Sequence, residues 1–223
     1  MAVTDEAIER IRAMIASGVL RPGDRLPRER ELAAELGLSR NSLREAVRAL
    51  ALIGVLDVRQ GDGTYVTGLD PRRLTAALGF AADLHGAGAE PEFLAVRRLL
   101  EPAATALACG RIEERVLDQL SGRLDALGPH SSAEQLAACD LEFHGRIGQA
   151  AGNDLLGALL EALSGPADRV RLWRGLPGPE AVGRVLDEHR AILAALRDRD
   201  AEAARSWATV HLAGVQRLLR SAG

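Results

Sequence analysis

Four ionisable residues stand where amphipathic helices should bury their apolar sides. In the helical pattern over 132–150, Leu136, Phe143, Ile147 and Ala151 form one stripe. Asp140 and His144 fall in that stripe, four residues apart and so on one face. Over 180–198, His189 interrupts the run Val182, Val185, Leu186, Ile192, Leu193, Leu196, and over 200–220 His211 falls between Ala204, Trp207, Gly214 and Leu218. A single histidine in an apolar stripe is ordinarily a hydrogen-bonded core residue. Here three of the 5 histidines and an aspartate converge from three helices. Isolated buried charge is costly, and sharing a cation removes much of that cost. Three neutral imidazoles and a carboxylate suit a divalent transition metal: Zn²⁺ is favoured, and Ni²⁺, Mn²⁺ or Fe²⁺ also fit, with positions left open for water or a ligand. Two ligands at i and i+4 on one helix, with one from each of two others, make a sound bundle-core site. The same centre could activate water in a metal-dependent hydrolase. No HExxH motif is present, however, and Glu142 should point away from the Asp140/His144 face. In a third reading the four residues bind a small molecule directly, without metal. His85 and His130 lie near helix ends and read as surface residues.

The second chemical feature is a row of arginines. Arg40, Arg44 and Arg48 are spaced by four, so each is offset by about 40° on a helix and they share one stripe. Leu43, Val47, Leu50 and Ile53 occupy the neighbouring face, and Asn41 lies outward beside the stripe. Taken alone, such a stripe is usually a solvated helix face. Its surroundings give it a use. A first helix over about 4–17 carries Ile8, Ile11 and Ile15; a second follows Pro27 and carries Leu32, Ala33 and Leu36; Gly37 stops it. Ser39 can cap a third helix that Gly54 closes. Then VLDVR (55–59) and TYVT (64–67) alternate like strands across QGDG (60–63), where a hairpin turn needs positive φ. Three helices and a hairpin make a winged helix-turn-helix, whose third helix enters the DNA major groove. Arginine's fork matches guanine edges and phosphates. Arg28 and Arg30 are placed to clamp the backbone, and the wing tip offers Gly63, Thr64 and Arg59. A winged helix can also serve RNA or protein contacts.

These elements must fit 223 residues, enough for one large domain or two modest ones. The fold class expected is mainly α: a winged helix-turn-helix over 1–68 and an all-α bundle over 69–223. The bundle reads as helices near 71–84, 91–109, 112–127, 132–150, 154–174, 180–198 and 200–220, with TGLDPRR (67–73) as the join. All 28 basic residues are arginine, and the net charge of −3 argues at face value against a nucleic-acid protein. Distribution matters more: residues 1–68 hold 10 Arg and 10 Asp/Glu, so the acidic surplus lies wholly beyond them. Within 39–50 there are three Arg and one Glu. Aromatic residues are only 3%, so the cores must be built from Leu, Ala and Val. Cys109 and Cys139 make neither a disulfide framework nor a zinc knuckle. The longest apolar runs, such as ALALIGVL (49–56), fall far short of a membrane span, and MAVTDEAIERI carries acids where an export signal needs apolar residues. A cytoplasmic protein is expected.

LPRERELAAELGLSRNSLREAVRALALIGVLDVRQGDGTYV (26–66) resembles the DNA-binding domain of the GntR superfamily of bacterial transcription regulators. The resemblance implies that Arg30, Arg40 and Arg44 are the main DNA contacts and that Gly63 places the wing in the minor groove. EFLAVRRLLEPAATALA (92–108), DLEFHGRIGQAAGND (140–154), DEHRAILAAL (187–196) and His211-Leu212 resemble the FCD effector domain of the FadR branch. In many members the equivalents of Asp140, His144, His189 and His211 bind a metal, and effectors are mostly small carboxylates, hydroxy acids or sugar acids. Members named for fatty acyl-CoA lack this ligand set, so an acyl-CoA effector is not expected. Arg97, in the VR..LE segment, either pairs with an effector carboxylate or forms an ion pair with Glu101 at i+4. Asn153 is a further effector candidate, though its place after Gly152 suits a helix cap better; Arg171 and Arg174 are weak candidates for pocket polarity. Together these readings imply a homodimeric regulator, expected to be a repressor, of a palindromic double-stranded DNA operator.

Overall fold

The structure, a computed structural model, describes residues 3–73, 75, 78–79 and 90–222, and gives only the backbone of residues 3, 90–91, 166–168 and 218–222. The chain divides into two compact units, Met1–Leu74 and Thr75–Gly223.

The first unit holds α1 (Val3–Ala16), α2 (Glu29–Glu35), α3 (Arg40–Leu52), β1 (Leu56–Arg59) and β2 (Gly63–Val66). Its core is Ala7, Ile11, Leu32, Leu43, Ala46, Val47, Leu50, Leu56 and Val66. Gly37 turns the chain between α2 and α3 at φ +65°, a conformation only glycine adopts without strain. The Ser39 side chain then accepts the Ser42 amide at 3.1 Å and starts α3. That cap sets the helical phase, so the leucine face packs down and Arg40, Asn41, Arg44 and Arg48 stay exposed. Ile53 is 51% exposed instead of packing, because α3 ends at Leu52 and Ile53 is already its cap. The strands pair antiparallel with Leu56 opposite Val66 and Arg59 opposite Gly63. Of the turn glycines, Gly61 takes positive φ (+77°), whereas Gly63 does not. Gly63 instead lies under the guanidinium of Arg25, which a side chain at 63 would have to displace. Arg25 runs over the wing and donates to the Asp62 carbonyl, and its backbone forms a bridge with Tyr65.

The second unit is helical throughout its named elements: α4 (Glu90–Ala108), α5 (Glu114–Asp125), α6 (Ala133–Ala150), α7 (Asp154–Ala162), α8 (Pro166–Arg174), α9 (Pro179–Arg197) and α10 (Ala201–Ala222). Before these, residues 71–73, 75 and 78–79 are helical, and the rest of the expected helix 71–84 lies outside the described residues, as does His85. A capping box at Ser132 and Gln135 fixes the start of α6. α4 packs on α10, α10 on α9, and α6 on both α4 and α8. The core gathers Leu117, Leu120, Leu124, Phe143, Ile147, Trp173, Leu186, Ile192 and Leu196, among others. No helix among the described residues is long and apolar enough to cross a membrane.

Two expectations need correction here. The single helix expected over 154–174 is two, because Gly165 is extended (ψ 141°) and Pro166 takes the first position of α8. Proline has no amide to donate to a continuing helix but suits a first turn. The break resets the helical phase. Arg169, Leu172 and Trp173 are buried, while Arg171 and Arg174 are exposed and so contribute nothing to an interior pocket. In α10 the inward stripe is Ala204, Ala208, His211, Leu212 and Val215, rotated so that Trp207 is 42% exposed. The side chain of Leu218 lies outside the described residues.

Candidate metal centre and nucleic-acid interface

Asp140 and His144 from α6, His189 from α9 and His211 from α10 meet in the second unit, each offering a ligand atom within 4.8 Å of the others. Asp140 is 3% exposed, and His189 and His211 are 1% exposed. Asp140 Oδ1 lies 3.1 Å from His189 Nε2 and 3.5 Å from His144 Nε2, and the two Nε2 atoms are 3.2 Å apart. Donors sharing one ion at about 2.1 Å lie ~3.0 to ~3.4 Å apart for octahedral and tetrahedral geometry. These spacings therefore fit a shared cation.

The outer partners fit it as well. His144 Nδ1 lies 3.3 Å from Glu101 Oε1, and His211 Nδ1 lies 3.1 Å from Glu188 Oε2. A carboxylate on Nδ1 fixes the tautomer that leaves Nε2 free to bind metal. His211 Nε2 is indeed buried without a hydrogen-bond partner. Burial, first among the causes, lowers the basicity of all three imidazoles, His144 to about 4 and the other two well below their ordinary range. They are thus neutral, as ligands must be. Glu101 would be raised by burial, but Arg97, His144 and Arg169 outweigh this and hold it at about 2. Glu188 is raised by burial to about 7, against the pull of Arg184 and Arg217.

Arg97 is buried and donates from Nη2 to both Glu101 oxygens at 3.1 Å, so the i+4 ion pair exists. Asn153 caps α7, its side chain accepting the Leu156 amide at 3.1 Å; it is exposed. Arg169 carries no signal in a single helix over 154–174, and it turns inward because the Gly165-Pro166 step starts a new helix. It is 2% exposed and donates to Asp140 Oδ2. Glu188 had no signal at all, since Asp187-Glu188 reads as a solvated pair. Beside the cluster lies a cavity of about 530 Å³, lined by His144, Glu101, Arg169 and residues of α6 and α7. Asn153 and Arg97 are not part of its lining. Glu142 pairs with Arg123 at 3.3 Å, as a residue turned from the cluster would. His130 is exposed.

The neutral buried histidines give the metal-free protein an acid-sensitive fold. An unfolded histidine takes up a proton near pH 6.5, whereas folded His144 does so at about 4. The stability that rests on neutral His144 is full above pH 6.5 and is lost as pH falls towards 4, by up to about 1.4 kcal/mol per pH unit; His189 and His211, lowered in the same direction, add to the decline. Thermal melts of metal-free protein from pH 7.5 to 5 should show this decline; a flat melting temperature would contradict the burial of these imidazoles.

In the first unit, Arg28, Arg30 and Arg40 are exposed and have no ion-pair partner among the described residues. Arg44 is held 2.9 Å from Glu29 of α2, and Arg48 2.8 Å from Glu45. On the wing, Thr64 is partly exposed beside Gly63, and the Arg59 guanidinium stacks 4.3 Å over the Tyr65 ring. The exposed side of α3 thus carries Arg40 without an ion-pair partner among the described residues, and Arg44 and Arg48 each held by a glutamate.

Comparison with known proteins matches residues 3–66 to the gntR family of bacterial regulatory proteins and residues 92–214 to the FCD domain. The chain belongs to the GntR family, in its FCD-containing group. It is a DNA-binding transcription regulator and not an enzyme, and the hydrolase alternative is not favoured. Among similar proteins, the HTH-type transcriptional regulator LutR of Bacillus subtilis is 29% identical over 92% of this chain and 96% of its own. The galactonate operon transcriptional repressor of Escherichia coli is 29% identical over 97% of this chain and 96% of its own. The solved structure of a GntR protein of Streptococcus agalactiae superposes with a TM-score of 0.63 at 27% identity, covering 96% of this chain and 99% of that one. The family's winged helix and helical bundle are the two units described above.

Proposed function

We propose that this protein is a homodimeric, cytoplasmic repressor of a palindromic operator, and that its affinity for DNA is set by a small carboxylate or sugar acid. The effector binds in the 69–223 domain at a divalent metal, Zn²⁺ in the first instance, held by Asp140, His144, His189 and His211. The bound ion supplies a Lewis-acidic point for an oxygen of the effector. The observation that carries this reading is the convergence of four donors, three of them on buried residues and with His211 Nε2 lacking a hydrogen-bond partner, at the edge of a cavity. Arg28, Arg30, Arg40, Asn41, Arg44 and Arg48, with Ser39, Gly63 and Thr64, form the DNA face of the 1–68 domain. Two such faces related by a twofold axis read two half-sites. Arg97 and Glu101 support His144 at the effector site, and Asn153 serves as a cap. The similar repressor named for the galactonate operon supports both the sign of regulation and the acid effector.

The test is operator binding by metal-loaded full-length protein, titrated with a panel of organic acids. Allosteric coupling of the usual size weakens DNA binding about 5- to 150-fold when the right acid is added. If operator affinity is the same for metal-free protein and for metal-loaded protein with every acid tried, the regulatory reading is wrong.

A further inference from the structure

The wing of the first unit is a short hairpin, with 4 residues in each of β1 and β2. Two strands alone are marginally stable in water. Backbone bonds anchor the base of this pair. Gly23 donates to the Val66 carbonyl at 2.8 Å, Val66 to that of Asp24 at 2.9 Å, and Leu26 to that of Thr64 at 2.8 Å. Residues 23–26 thus run along β2 like a third strand, and their last bond reaches Thr64. The tip, Gln60-Gly61-Asp62-Gly63, lies beyond that reach.

Packing does not hold the tip either. Between the wing and the helices lies a hollow of about 370 Å³, lined by Leu32 and Leu43 from α2 and α3 and by Val58, Gly61 and Thr64 from the hairpin. Val58 is accordingly 56% exposed. Two further contacts are internal to the hairpin. Tyr65 donates its hydroxyl to Asp62 Oδ2 at 2.9 Å, and Arg59, paired with Asp57 at 3.1 Å, lies over the Tyr65 ring. They stiffen the hairpin without fixing where it points.

Arg25 reaches the tip from outside. Its guanidinium lies over Gly63, and its Nη2 donates to the Asp62 carbonyl. Among the described residues, this is the one hydrogen bond that joins 60–63 to anything beyond the hairpin. A planar fork can lie on one peptide and donate to the next, which a compact ammonium cannot do as well. We propose that Arg25 is the positioning residue of the wing: it extends the hold of the 23–26 segment to the tip and sets the angle at which Gly63 and Thr64 meet DNA. The inference rests on the proposed DNA face and adds a residue from outside that set.

The test uses full-length protein and a duplex that the wild type selects from a random-sequence library. Arg25→Met keeps the stem over Gly63 and removes the donor. Backbone order parameters of residues 61–63 should fall from above about 0.8 to below about 0.6. The melting temperature should stay within about 2 °C of wild type, because Arg25 is exposed. Affinity for the selected duplex should fall about tenfold, the loss expected when about a tenth of the molecules hold the wing in place. Arg25→Lys keeps the charge without the fork and should bind within about threefold of Arg25→Met. Thr64→Ala should weaken the wild type severalfold yet change Arg25→Met less than about twofold, because a wing that is not held has no contact to lose. An ordered tip or unchanged duplex affinity in Arg25→Met, recovery of binding in Arg25→Lys, or additive losses in the double variant would overturn the inference. If Thr64→Ala is silent in the wild type, the proposed DNA face fails at the wing, while the order parameters still decide whether Arg25 holds the tip.

Discussion

Replacing Arg40 and Arg44 together by alanine should abolish specific operator binding while leaving the fold, the metal content and self-association intact. Both side chains are exposed on α3, outside the Leu43, Val47 and Leu50 face that holds the helix down. Truncating them therefore opens no cavity. Arg44 also loses its bond to Glu29, but surface pairs of this kind contribute little to stability. A lost bidentate base contact weakens binding by roughly ten- to a hundredfold, and two together should erase the margin over non-specific DNA. Gel-shift titrations against operator and scrambled DNA at one fixed salt concentration would measure it. Unchanged discrimination would mean that α3 does not read the groove.

His189→Ala should remove both the metal and the stabilisation that the metal confers. His189 stands between Asp140, His144 and the His211 ring, whose centroid is 4.5 Å away, and it is 1% exposed. A ligand present at ~1,000 times its dissociation constant stabilises the native state by about 4 kcal/mol. For a domain of this size that corresponds to a melting temperature higher by about 10 °C. Wild-type protein should gain that increment on adding Zn²⁺ and lose it to a chelator, whereas His189→Ala should melt at the same temperature in both. A variant that still responds to metal would show that the ion binds elsewhere.

Much of both sites is legible in the sequence because helical geometry carries it. The i, i+4 spacing of Asp140 and His144 fixes a shared face before any tertiary contact is known. Their apolar neighbours say that this face is inside. The arginine stripe and the serine cap of α3 work in the same way. What could not be read depends on partners from other elements. Arg169 reaches Asp140 only because Pro166 restarts the helix, and Glu188 finds His211 across two helices. Trp207 shares a face with core residues by count, yet the rotation of α10 that seats His211 leaves it outside. Gly63 illustrates the same limit at the wing: the guanidinium that lies over it belongs to Arg25, nearly forty positions earlier in the chain.

Anomalous diffraction from a crystal of the full-length protein, purified without chelator, tests the metal centre most directly. One strong peak is expected, within about 2.3 Å of the Asp140 carboxylate and of Nε2 of His144, His189 and His211. A map without a peak there, or with its peak bound by other residues, would contradict a metal-centred effector site.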